Sequence, residues 1–436
     1  MNRTKWSPLY RSEDWWAVWL GLLLLATVFG GLVNLVPKIP KWKGADIASA
    51  LPLDLIPGLL LLLLGLAVIF TFGNILMEGR RRGIEILPGF VAIFALSTLA
   101  YILGNSQTAR AISLGYAFWA LLIGLLISNI LGTPRWLLKA ARTEYYIKTG
   151  LVILGAEILF NRIVEFGPYG LAIAWLVTPI VVIFMYLFAT RSLRMEQKTL
   201  AIVVATSTSV CGVSAAIAAA AACRAKKSEL TLAVGMTLIF TILMMIAMPL
   251  FVKAVGMNEL VGGAWLGGTI DATGAVVAAG ETLGEVAGKT AALVKMIQNM
   301  LIGVIAFAIA IFWVTFEERR PDAPRPRLSE LWVRFPKFVL GFVVASLISS
   351  FVFIPLMGQE TVLDLLKQTK NFRGWLFCMA FLSIGLESNF RELSTQLRGG
   401  KPMILYLVGQ TFNIILTFAV AWLVLSGVIF PVPNLG

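Results

Sequence analysis

Histidine is absent from the 436 residues, and charge is scarce: Asp, Glu, Lys and Arg together make up 14%. Without histidine the chain lacks the usual proton shuttle and the commonest metal ligand. Only three cysteines occur, Cys211, Cys223 and Cys378. They lie in or at the ends of apolar stretches with no metal-ligand or redox spacing, so neither a disulfide framework nor a metal site is expected. No glycine-rich ATP-binding loop is present. Any energy input must then come from an ion gradient or a separate subunit. No nucleophile–base pair stands out, and the acids are scattered over separate apolar segments. An enzyme is therefore not expected.

What the chain has in abundance is apolar residues, 58% of the total. Soluble domains are about half apolar and roughly a quarter charged. Here the apolar residues gather into runs of roughly 18–25, the length that crosses a hydrocarbon layer of about 30 Å. Candidate spans are 15–36, 51–77, 84–103, 111–131, 147–163, 169–190, 200–223, 230–255, 261–280, 291–316, 338–356, 374–386 and 403–430. The fold class expected is an all-α polytopic membrane protein with about 11–13 membrane segments. The linear organisation reads as follows: 1–50, an N-terminal tail plus an extra transmembrane helix; 51–316, transporter helices; 317–337, a Pro-, Arg- and Glu-rich cytoplasmic linker; 338–436, C-terminal transporter helices. The first apolar run lacks a cleavage motif and reads as a retained helix.

The net charge of +13 sits in loops, not in a nucleic-acid-binding stripe. Basic cytoplasmic loops orient membrane proteins. A cytoplasmic N-terminus puts Arg80–Arg82, Arg135, Lys139, Arg142, Arg191, Arg194, Lys198, Arg391, Arg398 and Lys401 inside, with Arg3, Lys5 and Arg11 of the tail. Lys38, Lys41 and Lys43 fall outside, and so do Arg224, Lys226 and Lys227. The second exception disappears if 200–223 and 261–280 are re-entrant hairpins. Irregular backbone at that depth must be buried in protein or line a wet cavity. Full crossing and re-entry remain open, and both bring the polar middles of these segments near mid-membrane.

Three segments carry polar chemistry. In the first, Thr206, Ser207, Thr208 and Ser209 precede Gly212 and Ser214 inside an otherwise apolar stretch. Four successive hydroxyl residues followed by glycine make poor continuous helix. A break there would aim half-helix ends at a bound ion. The competing reading is a small-residue packing face, the evident use of the alanines at 215–222. The second segment, 267–280, is rich in glycine and hydroxyls. It places Thr269, Asp271 and Thr273 in apolar surroundings. An intramembrane carboxylate costs roughly 3 kcal/mol and is usually paired or functional. The third segment sets Lys295 one turn before Gln298 and Asn299, partly on one face. This cation could bind an anion, pair with Asp271 or snorkel to the interface. Gln410, Thr411 and Asn413 add polarity to the last span, as helix-to-helix hydrogen bonding or as substrate contacts.

An internal echo links Gly155-Ala-Glu157 with Gly385-Leu-Glu387, each followed by a Phe and an Arg. Duplicated halves of inverted topology are common in secondary transporters. Inverted repeats containing two discontinuous or re-entrant helices are expected.

Taken together, 206–216, 267–280 with its Val-Val-Ala-Ala-Gly ending, Val294-Lys295, and Ile384-Gly385-Leu386 before Phe390-Arg391 resemble the YeiH-type sulfate exporter family. That family is grouped with the bile acid:sodium symporter-like transporters. The resemblance covers roughly 51–430. It implies discontinuous helices meeting at mid-membrane, an elevator- or rocking-type cycle, and a small oxyanion or sulfonate-related substrate. This chain departs from the pattern in three places. Asp271-Ala272 stands where a His and an acid are usual, Gln298 where an Arg is expected, and Glu157 where a basic residue is common. Each change makes the potential more negative. A dianion then becomes a weaker substrate unless a cation binds with it.

Combined, these readings make the chain an ion-coupled secondary transporter of a small anion such as sulfate, sulfite or a sulfonate, in the export direction. The alternatives are an anion channel, or a Na⁺- or H⁺-coupled carrier of a zwitterionic solute. Asp271, Glu157 and Glu387 are the ion-coupling candidates. No cofactor is expected beyond Na⁺ or H⁺ as coupling ion. Expected partners are the bilayer of a bacterial-type cytoplasmic (inner) membrane, a small-molecule or ion substrate, and further copies of the chain in a homo-oligomer, but no nucleic acid.

Overall fold

Among the described residues every expected span is helical over most of its length, and there is no strand beyond one isolated bridge between Trp42 and Ser106. A computed structural model describes residues 9, 11–33, 35–43, 47–111, 115–317, 332, 335–390 and 400–433. Most of the linker expected at 317–337 lies outside the described residues, as do Arg3, Lys5, Arg391 and Arg398.

In chain order the principal helices are α1 (Glu13–Phe29), α2 (Ile56–Glu78), α3 (Leu87–Gly104), α4 (Tyr116–Leu126), α5 (Thr143–Glu157), α6 (Phe160–Leu171), α7 (Val177–Leu187), α8 (Lys198–Thr206), α9 (Gly212–Cys223), α10 (Lys227–Ala254), α11 (Glu259–Thr269), α12 (Thr273–Leu283), α13 (Glu285–Phe312), α14 (Lys337–Ile348), α15 (Gln359–Glu387) and α16 (Lys401–Leu425). Eight helical stretches among the described residues are long and apolar enough to cross a membrane. The other expected spans are helical too. However, α1 and α5 are short, 116–131 is a shorter apolar helix, and 259–283 is split into α11 and α12. Leu60, Leu61, Leu64, Val68 and Phe72 of α2 are exposed, which suits a lipid-facing surface. The protein is an all-α, multi-pass membrane protein.

Local signals set the helix ends. Pro57 opens α2 in its first turn, where the missing N–H costs nothing, and Gly79 closes it at φ 89°. Gly400 at φ 103° and Pro402 start α16 in a similar way.

The chain forms two compact units, each assembled from two stretches. One comprises Met1–Ile163 with Lys337–Asn389, the other Val164–Pro336 with Phe390–Gly436. In the first unit α5 and α15 pack on each other and each ends at an acid, Glu157 or Glu387. Two residues earlier stands a glycine, and at both sites an added Cβ would run into a neighbouring backbone: Phe342 of α14 for Gly155, Leu121 of α4 for Gly385. A serine from that same neighbour closes each end. Ser346 Oγ donates to Ile158 O at 2.6 Å, and Ser128 Oγ donates to Gly385 O at 2.8 Å. The echo in the sequence is thus a repeated piece of architecture: a glycine contact, a serine cap and a terminal acid.

The second unit contains a different repetition. Twice, a broken helix is followed by a long unbroken one: α8 and α9 then α10, α11 and α12 then α13. The packing is exchanged, because α9 lies on α13 while α12 lies on α10. Small residues bring α11 and α13 close together. A Cβ on Gly263 would lie 2.5 Å from Ala287 O, and one on Gly267 would lie 2.7 Å from Ala291 O. Spaced four apart, these glycines let the two backbones touch, as small-xxx-small contacts do in membranes. This contact carries Lys295, four residues beyond Ala291, to the level of the break between α11 and α12.

Candidate functional site: the crossing of two broken helices

The first break follows directly from its sequence. The hydroxyls of Thr206, Ser207, Thr208 and Ser209 turn back onto backbone carbonyls three or four residues earlier, at 2.6–2.9 Å. Such back-bonding satisfies a buried hydroxyl and loosens the helix. The helix widens over Ser207–Cys211 and then stops. Cys211 is extended (φ −153°, ψ 84°), Gly212 has φ 10°, and α9 starts afresh. The second break spans Ile270 to Ala272. Both of these residues are extended between α11 and α12.

The two breaks meet. A Cβ on Gly212 would lie 3.4 Å from Asp271 O and 3.7 Å from Asp271 Cβ. Cys211 Sγ is 3.7 Å from Thr273 Oγ1. The tight approach at Gly212 comes from the Thr237 methyl, 2.8 Å from the Cβ position, while Asp271 stands at ordinary contact distance.

Each break leaves carbonyls at the end of the first half-helix and N–H groups at the start of the second. The carbonyl ends are capped by side chains from elsewhere in the unit. Lys295 Nζ donates to Val210 O at 2.6 Å and to Gln298 Oε1 at 2.6 Å. Gln298 Nε2 lies 3.0 Å from Ser209 O, 3.1 Å from Gly268 O and 3.1 Å from Thr178 Oγ1. From α16, Gln410 Nε2 reaches Thr269 O at 3.1 Å, and Asn413 Nδ2 reaches Thr208 O at 3.3 Å. The N-terminal ends of α9 and α12 are treated differently. Neither has a side-chain cap. Two helix N-termini, each with a partial positive charge, thus begin side by side at the crossing.

Asp271 sits beside them with 1% exposure, and Lys295 is equally buried. Tyr406 Oη donates to Asp271 Oδ2 at 2.6 Å, while Oδ1 has no partner. Asp271 and Lys295 feel each other's charge, but the ammonium spends its donors on Val210 and Gln298. Asn299 Nδ2 donates to Thr273 Oγ1 at 3.0 Å. The unpartnered buried polar atoms around the crossing are Asp271 Oδ1, Asn299 Oδ1, Gln410 Oε1 and the hydroxyl of Thr269. The first three can only accept.

Of the residues singled out from sequence, Thr206, Ser207, Thr208, Ser209, Gly212, Thr269, Asp271, Thr273, Lys295 and Asn299 all fall in this one cluster. Ser214 lies on the exposed side of α9. Thr411 donates to Leu407 O of its own helix and is exposed. Three members are absent from the expected site residues: Tyr406, Thr178 and Gln298, the last noted beside Lys295 and as standing where an arginine is expected. Tyr406 had a signal. With Gln410, Asn413 and Thr417 it forms a buried stripe at helical spacing on α16.

Glu157 and Glu387 belong to the other unit. Glu157 is held by Arg373 in a two-pronged pair, Nε to Oε1 at 2.9 Å and Nη2 to Oε2 at 3.0 Å, with both side chains buried. Glu387 accepts from Thr143 Oγ1 at 3.0 Å. It lines a cavity of about 650 Å³ together with Glu13, Glu78, Lys139 and Arg142. Two of its acids are paired, Glu85 with Lys139 at 2.6 Å and Glu78 with Arg142, and acids outnumber bases in the lining. Among the described residues no cluster of His, Cys, Asp and Glu could hold a metal ion.

Comparison with known sequences places this architecture in a family. The profile described as conserved hypothetical protein 698 matches residues 88–406, which include both breaks, Lys295 and Tyr406. A UPF0324 membrane protein of Rhodopirellula baltica is 51% identical over 392 residues, covering 88% of this chain and 71% of that protein. One of Nitratidesulfovibrio vulgaris is 48% identical over 400 residues, covering 90% and 67%. One of Nitrosomonas europaea is 30% identical over 493 residues, covering 99% of both chains. No solved structure matches. The chain belongs to the family of UPF0324 membrane proteins.

Proposed function

We propose that this protein is a secondary transporter of a small anion, and that the crossing of the two broken helices is its binding site. One observation carries the reading. The carbonyl ends of both first half-helices are capped by Lys295, Gln298, Gln410 and Asn413, whereas the N-terminal ends of α9 and α12 are uncapped and adjacent. Helix N-termini favour anions, and half-helix ends at mid-membrane are a recurring transporter device. Lys295 adds the only full positive charge at the crossing among the described residues.

The substrate class that fits is a small oxyanion or sulfonate, with sulfate and sulfite as first candidates on the resemblance to the YeiH-type exporters. Coupling to H⁺ or Na⁺ would supply the energy. The setting would be a bacterial cytoplasmic membrane with the N-terminus inside. The test is flux of labelled sulfate, sulfite and methanesulfonate in proteoliposomes, with and without imposed H⁺ and Na⁺ gradients. Lys295→Ala and Asp271→Ala are each expected to abolish flux in folded protein. Normal flux in both variants would reject the site. Single-channel currents far above carrier turnover would favour a channel built on the same groups.

A further inference from the structure

The crossing contains its own surrogate for an anion. The backbone O and Cβ of Asp271 lie 3.4 and 3.7 Å from where a Cβ on Gly212, the first residue of α9, would stand, so the residue sits at the start of that half-helix. With both groups ionised, Asp271 and Lys295 leave the empty site electrically balanced: one buried cation, one buried anion, no ion pair between them. Bringing in a further anion would leave an uncompensated buried charge, the costliest arrangement in a low-dielectric interior.

One event removes the conflict. Asp271 Oδ1 is buried and has no partner, while Oδ2 is held by Tyr406. A proton taken from water onto Oδ1 neutralises the carboxylate, and the site then carries the single charge of Lys295. A monoanion restores neutrality. The titratable groups facing Asp271 are Lys295 from α13 and Tyr406 from α16, with Cys211 of the first break facing Lys295. α10 contributes Thr237, which does not titrate.

We propose that protonation of Asp271 and binding of a monoanion beside Lys295 are coupled one to one, so that the coupling ion is a proton. This rests on the anion reading above and deepens it. Each loading cycle binds one H⁺ and one monoanion and leaves the charge of the site unchanged. By linkage, affinity for a monoanion falls about tenfold per pH unit wherever Asp271 is ionised in the empty site.

The test uses the purified full chain in nanodiscs, with methanesulfonate and nitrate as probes, since both stay monoanionic across the pH range. Binding is followed by calorimetry, and proton uptake by an indicator dye in weak buffer, without Na⁺. The wild type is expected to take up about one proton per anion at high pH and to lose affinity as pH rises. Asp271→Asn, which resembles the protonated acid in shape and charge, is expected to bind without proton uptake and without pH dependence. Tyr406→Phe removes the bond that favours the ionised form and shifts the pH midpoint upward. Wild-type binding with no proton uptake, or binding that requires Na⁺, would overturn the coupling while leaving the anion site standing. Absence of binding by folded wild type, with either probe and at any pH, would overturn both.

Discussion

Gln298 is the residue on which the crossing most depends mechanically. Its amide nitrogen lies within 3.1 Å of acceptors on both broken helices and on α7, and its carbonyl takes Lys295 at 2.6 Å. An amide nitrogen has two protons, so Gln298→Leu removes about three hydrogen bonds at any moment. Side-chain hydrogen bonds in membranes average about 0.6 kcal/mol and reach about 1.7, which gives a loss of roughly 2–5 kcal/mol. The upper part of that range is expected, because the substitution strands buried helix-end carbonyls and removes one acceptor of a buried lysine. A kcal/mol moves Tm by about 2–4 °C for a body of 150–250 residues, so a loss of about 4–5 kcal/mol should lower Tm by roughly 8–20 °C. Thermal unfolding in nanodiscs, followed by tryptophan fluorescence, reads it directly. Thr231→Val is the control: that hydroxyl is exposed and bonds only to Lys227 O of its own helix, so little change is expected. A Gln298→Leu variant within 2 °C of wild type, with anion binding intact, would refute the idea that this side chain clamps the two breaks together.

Three further outcomes follow. Gly263→Val drives a side chain into Ala287 O, 2.5 Å from the Cβ position, and should separate α11 from α13, lowering Tm and abolishing anion binding together. Arg373→Ala strands the buried Glu157 and should destabilise by about 3–5 kcal/mol, while Arg373→Met with Glu157→Met should recover most of the Tm. Cys211 is half-buried at the crossing while Cys223 and Cys378 are buried, so maleimide should label one site in folded protein, and saturating methanesulfonate should slow the reaction.

Much of this site was legible in the sequence, for a physical reason. Lipid-exposed apolar runs stand out by length, and hydroxyl- and glycine-rich stretches inside them stand out by contrast. The breaks at 211–212 and 270–272 fall inside the two segments flagged on that ground. What the hydroxyls do there was not legible. A Ser or Thr in helix can turn outward to a ligand or back onto its own carbonyls. Thr206 to Ser209 do the latter, which leaves the helix ends rather than the hydroxyl protons to face a solute. Pairings distant in sequence were also out of reach. Nothing local links Glu157 to Arg373, 216 residues away, or Asp271 to Tyr406, 135 residues away. The interleaving of two chain stretches in each unit has the same cause: contacts between distant segments leave no periodicity to read.

The central claim is that a small anion lodges where the two interrupted helices meet. A map of the protein with perrhenate, a heavy monoanionic oxyanion, tests it most directly. The expected result is a strong peak within hydrogen-bonding reach of the first N–H groups of α9 and α12, near Lys295, that disappears in Lys295→Ala. Occupied perrhenate sites only elsewhere, with residues 210–212 and 270–273 packed dry against each other, would contradict the account.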